Sequence, residues 1–176
     1  QVSLKMDFSA RSVNLIGEPF DLTIRITSSL KSGDIARKIS SRRLRVVAAP
    51  DYLARHGRPL HPSELVNHAC LGYTLGGGAM SWQFAVDGVV ESFSIRCRIN
   101  SNNGEVLTEA AALGLGITCH PDFIVDRYIA EGRLEEILTE FPAPELGVYA
   151  VLPTNRHVPH RIRVLMDFLA EKLAEV

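Results

Sequence analysis

No stretch of this sequence approaches the roughly 20 consecutive apolar residues that an α-helix needs to cross a bilayer, so no membrane partner is expected. Cysteine is scarce: Cys70, Cys97 and Cys119 are odd in number and far apart. Such a set makes no disulfide framework. With apolar or strand-like neighbours on each, the three read as buried thiols of a reducing compartment, which points to the cytoplasm. An excess of either charge is lacking too. Nineteen Lys and Arg stand against 20 Asp and Glu, a formal net charge of -1, so there is no general pull on nucleic acid or an anionic membrane. The densest basic run, "RKISSRRLR" (37 to 45), is read as a solvated strand face. No signal peptide opens the chain, and Gln1 is not a translated start, so residues upstream are expected to have been removed.

Catalytic and metal signatures fail on context. "LGGGAM" (75 to 80) lacks the Lys-Ser/Thr that a phosphate loop carries, and leads into a strand; it is read as a loop. "GLG" (114 to 116) follows a helix, whereas a dinucleotide turn follows a strand and opens one. There is no Gly-x-Ser-x-Gly elbow. The pair Glu135-Glu136 is expected to be solvated. Six histidines, His56, His61, His68, His120, His157 and His160, lack the spacing and company of metal ligands. His68 with Cys70 and Cys119 with His120 come nearest, but alternation along a strand points each pair to opposite faces. His157 and His160 leave room for a weak surface metal site only. No cofactor, metal site or catalytic residue is assigned.

What is present is an ordinary globular composition, 46% hydrophobic and 22% charged over 176 residues, enough for one core or two small lobes. "VSLKMDF" alternates like a strand, "SARSVNLIGEPFD" reads as a short helix capped by Ser9 or Ser12, and "DLTIRIT" (21 to 27) as a second strand. "DIARKISSRRLRVVAAP" holds one or two strands. "PDYLARHG" and "HPSELVNH" are short helices with Pro in the first turn. "ACLGYT" is a strand, and "MSWQFAVDGVVESFSIRCRI" a hairpin turning at Asp87-Gly88. A helix from Glu105 to about Leu113, strand "GITCH", helix "DFIVDRYIAEG", a short strand near "LEEIL" and strand "GVYAVLP" follow. The last helix sets Ile162, Leu165, Met166, Leu169 and Leu173 on one face. Alternating strands and helices predict an α/β protein with mainly parallel sheets.

Binding is the chemistry left. Helix N-termini expose N–H groups and partial positive charge at the carboxyl ends of strands, a seat for a carboxylate. "FSARS", with Ser9 and Ser12, and "NSNNG", with Asn102 and Asn103, occupy such places, although plain N-capping accounts for the same residues.

"FDLTIRI", "RVVAAPDYLARHGRPLHPSELVNHACLGY", "NNGEVLTEAAALGLGITCHPDFIV" and "GVYAVLPTNRHVPHRIRVLMDFL" together resemble the effector-binding domain of LysR-type transcriptional regulators, in order and over nearly the whole chain. The resemblance implies two Rossmann-like lobes joined by two crossover strands, similar to type 2 periplasmic binding proteins. Lobe I would be 1–47 with 153–176, and lobe II 48–152. A small organic, anionic co-inducer would sit in the cleft, lined by Ser9 and Arg25 from lobe I and by Tyr73, Asn102, Asn103 and His120 from lobe II. Arg25, at the carboxyl side of its strand, suits a bidentate carboxylate pair, or equally a surface position. The implied assembly is a homodimer or homotetramer that reaches DNA only through an N-terminal winged helix-turn-helix.

That module, and a first strand and helix of lobe I, have no counterpart in these 176 residues. An incomplete cleft wall and an uncovered apolar sheet edge are therefore expected, with self-association unless a partner chain covers them. Two rivals stay open at this stage. A transporter's solute-binding protein would need an export signal, and an α/β enzyme would show turnover abolished by His120→Ala or Ser9→Ala.

Overall fold

Strand direction is where the chain departs most from the reading above. A computed structural model describes residues 3–8, 20–74, 80–153 and 158–174. The chain divides into two units, Gln1–Arg42 with Glu145–Val176, and Arg43–Pro144.

In the first unit, β1 (Thr23–Thr27) and β2 (Ile35–Arg42) flank a later strand, β10 (Leu146–Leu152), and both pair with it antiparallel. Because β10 is bonded on both edges by this unit's strands, it belongs here along its whole length. The unit's second segment begins at Glu145. Val148 and Ala150, two apart and so on one face, bury against Ile162 and Met166, four apart on the closing helix α4 (His160–Ala174). Leu169 and Leu173 extend that apolar stripe. Ser40 Oγ and buried Arg42 Nη2 both donate to the Leu173 carbonyl at 3.1 Å, satisfying an acceptor that the helix end leaves free.

Residues 3–8 form no strand, contrary to the alternation of "VSLKMDF", and Leu4, Met6 and Phe8 stay exposed. A period of two marks a chain fit to join a sheet; without a hydrogen-bonding neighbour it remains only extended. β1 pairs on one edge alone among the described residues, and its Ile24 and Ile26 are exposed. The helix expected over "SARSVNLIGEPFD" lies outside the described residues apart from its last two.

The second unit follows chain order through β3 (Leu44–Ala48), α1 (Pro50–His56), a 3₁₀ turn (Pro62–Asn67), β4 (Cys70–Tyr73), β5 (Ser81–Val86) and β6 (Val89–Ser94). It continues with β7 (Cys97–Ser101), α2 (Gly104–Ala112), β8 (Ile117–Pro121), α3 (Asp122–Ala130) and β9 (Glu135–Ile137). The main sheet has order β7-β4-β8-β3-β9. β4 runs parallel to β7 and β8, whereas β3 runs antiparallel to β8 and β9.

The expectation of mainly parallel sheets is thereby corrected. The physical reason is specific: β7-α2-β8 and β8-α3-β9 are β-α-β crossovers between strands of like direction, but each skips one strand. The slot inside the second crossover is filled by β3, running the other way. Apolar alternation reports a strand's faces, not its direction.

β5 and β6 form the predicted hairpin, with Asp87 at φ 50° and Gly88 at φ 80°, the left-handed pair of a type I′ turn. The core of this unit joins Val46, Val47, Leu65, Leu71, Phe84, Leu107, Ile117, Val125 and Leu134, all buried.

Candidate functional site

Three strands of the second unit end side by side. β4 closes on Tyr73, β7 on Ser101 and β8 on His120 and Pro121; Tyr73 and Ser101 are register partners. Since β4 is parallel to both neighbours, these are all carboxyl ends, where open α/β sheets bind ligands. Thr74 N–H donates to the Ser101 carbonyl at 2.9 Å, tying the ends together. The backbone then enters α2 over Asn102 and Asn103.

Asn103 is the N-cap: its extended backbone (φ -121°, ψ 109°) lets Oδ1 accept from Val106 N–H at 3.2 Å, while its own N–H donates to Ser101 Oγ at 3.1 Å. Gly104 then starts the helix against His120. A β-carbon there would stand 3.3 Å from His120 Nδ1, so the absent side chain is what lets the ring lie under the helix start. Tyr73 meets the same imidazole edge-on, ring centroids 6.2 Å apart at 87°.

His120 is 3% exposed, and its Nε2 has no hydrogen-bond partner among the described residues. Burial pushes its pKa down to about 4, because a charged imidazolium would lose its hydration there. At neutral pH the ring is uncharged, with one N–H and one lone pair to offer. Tyr73, by contrast, is 45% exposed. A neutral buried imidazole, an exposed phenol, two asparagine amides and a helix start can orient a small polar ligand. They include no nucleophile–base pair, and among the described residues no group of His, Cys, Asp and Glu is arranged to hold a metal.

The structure thus gathers Tyr73, Asn102, Asn103 and His120 at one edge of the second unit. Ser9 lies outside the described residues. Arg25 belongs to the first unit, in the middle of β1 and not at its carboxyl end, where its Nη1 pairs with Asp34 Oδ2 at 2.8 Å. Ser101, Thr74 and Gly104 are the contributors that the sequence reading did not single out. Ser101 was visible in "NSNNG" as a turn residue, but its hydroxyl's role depends on the register of β7.

The remaining candidates take structural roles. Glu135 and Glu136 are ion-paired with Arg58 and Arg45, not freely solvated. His61 caps the 3₁₀ turn through Nδ1, and His68 Nδ1 lies 3.2 Å from the Tyr52 hydroxyl. Cys70 and Cys97 are register partners on β4 and β7. Burial raises the thiol pKa of all three cysteines, Cys70 and Cys119 to about 12, so these two stay protonated and unreactive. No helix among the described residues is long and apolar enough to cross a membrane.

A protein-family model described as "LysR substrate binding domain" matches residues 1–174. The HTH-type transcriptional regulator CrgA of Neisseria meningitidis is 36% identical over 173 residues, covering 98% of this chain and 58% of CrgA. The regulatory domain of CrgA superposes with a TM-score of 0.79 at 36% identity, over 94% of this chain and 81% of that one. Full-length AphB, a Vibrio cholerae virulence activator, superposes with a TM-score of 0.76 at 28% identity, over 97% and 57%. This chain spans little more than half the length of the curated regulators it resembles.

Proposed function

Because this chain belongs to the LysR substrate-binding domain family, we propose that it is the sensing part of a cytoplasmic transcriptional regulator, binding a small organic anion at the strand ends of its second unit. Tyr73, Asn102, Asn103 and His120 hold the ligand from this side. Within the first unit, Arg25 pairs with Asp34, a partner that a ligand carboxylate of the same charge could replace. The single observation that carries the reading is His120: a ring 3% exposed with an unpartnered Nε2, packed against the first residue of α2. A buried polar atom left without a partner costs on the order of 1–3 kcal/mol, and a ligand oxygen at Nε2 recovers it.

Effector binding shifts the protein between conformations and so alters a homodimer or homotetramer on DNA held by a separate N-terminal module. The relatives bear the names of regulators, and a sensor needs no turnover.

Isothermal titration of the intact protein with a panel of small mono- and dicarboxylates tests this. One of them is expected to bind saturably and to shift the DNA footprint. Tyr73→Ala and Asn102→Ala, both exposed positions, should weaken that binding roughly tenfold to a hundredfold without lowering stability, since a lost hydrogen bond to a charged group is worth about 1.5–3 kcal/mol. Binding indifferent to both substitutions would place the effector elsewhere.

A further inference from the structure

At the opposite ends of the same strands lies a hollow, and we propose that it binds a small organic anion independently of the strand-end site. The cavity is about 390 Å³, within the usual range for small-molecule sites. Its walls come from the beginnings of β4, β7 and β8 and from the last turns of α1 and α2. α2 alone separates it from Asn103 by about 13 Å, from nine residues at 1.5 Å each.

The lining carries a distinctive charge. Arg55, Arg98 and His56 face it with Tyr52, Leu113 and Leu115, and among the described residues no carboxylate lines it. Six arginines elsewhere in the molecule pair with acids: Arg25 with Asp34, Arg37 with Asp167, Arg45 with Glu136, Arg58 with Glu135, Arg133 with Glu109 and Arg161 with Asp21. Among the described residues Arg98 makes no ion pair, and Arg55 bonds only to backbone carbonyls. Its Nε donates to Asp51 O at 3.1 Å and its Nη2 to Gly114 O at 3.3 Å. Those bonds position the guanidinium across the mouth and leave its charge without an acid.

Gly114 is part of this arrangement. It holds φ +74°, a conformation side chains resist, and a β-carbon there would stand 2.9 Å from Arg55 Nη2. The floor is rigid: Tyr52 is buried, its hydroxyl accepts from Ala69 N–H at 3.0 Å and lies 3.2 Å from His68 Nδ1, and its ring packs on His56 at 4.5 Å. Two guanidiniums over a wall of Leu113 and Leu115 suit an anion with a short apolar body and carboxylate or phosphate groups, for which guanidinium is the matching donor.

The test is isothermal titration of the intact protein with succinate and with inorganic phosphate, against sodium chloride of equal ionic strength. Succinate or phosphate is expected to bind saturably, and which of them does so separates a carboxylate from a phosphate ligand. Arg98→Gln and Arg55→Gln should each weaken binding about tenfold or more. Tyr73→Ala should leave this binding unchanged, whatever it does at the strand-end site, so failure here and failure of the effector reading are distinguishable. Three results overturn the proposal: neither probe binds, chloride reproduces the response, or binding survives both arginine substitutions while Tyr73→Ala removes it.

Discussion

Gly116→Ala is expected to destabilise the protein by about 3 kcal/mol, the upper end of what overpacking costs. An added β-carbon would stand 2.4 Å from the Ala69 carbonyl oxygen and 3.1 Å from its carbon. The obstacle is backbone, and it is anchored: that oxygen accepts from Ile117 N–H at 2.9 Å at the point where β8 begins beside β4. Relief therefore requires breaking this bond or parting two central strands whose Cys70, Leu71, Ile117 and Thr118 are all buried. A fall in Tm of roughly 6–12 °C should follow, at about 2–4 °C per kcal/mol for a chain of this size. Gly33→Ala is the comparison. Its φ of +90° opposes a side chain but nothing lies within 4 Å, so about 1–2 kcal/mol of backbone strain is all it should cost. Equal melting shifts for the two variants would show that the β4–β8 contact is looser than described.

The second large effect is a pH dependence. In the unfolded chain His120 titrates near 6.5, and in the folded protein burial holds it down to about 4. Between those values the unfolded state binds the extra proton, so stability rises with pH through this window. The contribution is fully present above about pH 6.5 and is lost progressively as pH falls toward 4. Its size is about 3 kcal/mol, from about 1.4 kcal/mol per pH unit of displacement. His68, also held down mainly by burial, adds to the slope in the same direction. Urea unfolding from pH 7 to pH 4 measures the slope. His120→Phe keeps a ring against Tyr73, removes the titration, and should flatten the curve by that amount with little loss at pH 7. A slope unchanged in the variant would mean that His120 is solvated in the folded state.

These two residues also mark how far the sequence was legible. Element positions were, because they depend on local chemistry: Pro50 at a helix start, Asp87-Gly88 at a hairpin, Asn103 before α2, and the stripe of Ile162, Met166, Leu169 and Leu173. Quantities set by neighbours far along the chain were not. Alternation in "VSLKMDF" could not say whether a partner strand exists, nor could that of β3 and β10 show that they run against their neighbours. Arg25 looked available until Asp34 stood beside it, and Glu135-Glu136 looked solvated until β9 paired with β3 beside Arg45 and Arg58. Likewise Tyr73, Asn103 and His120 are separated by 30 and 17 residues in the chain, and only the order β7-β4-β8 brings them to one edge.

The central claim is that a metabolite meets the buried imidazole at those strand ends. Titrating a small organic acid that binds, while following the histidine ring nitrogens by NMR, tests it most directly. The account predicts that the His120 resonances shift saturably with the binding isotherm, whereas those of His61, committed to capping the 3₁₀ turn, stay in place. An acid that binds and alters the DNA footprint while His120 remains unmoved would contradict it.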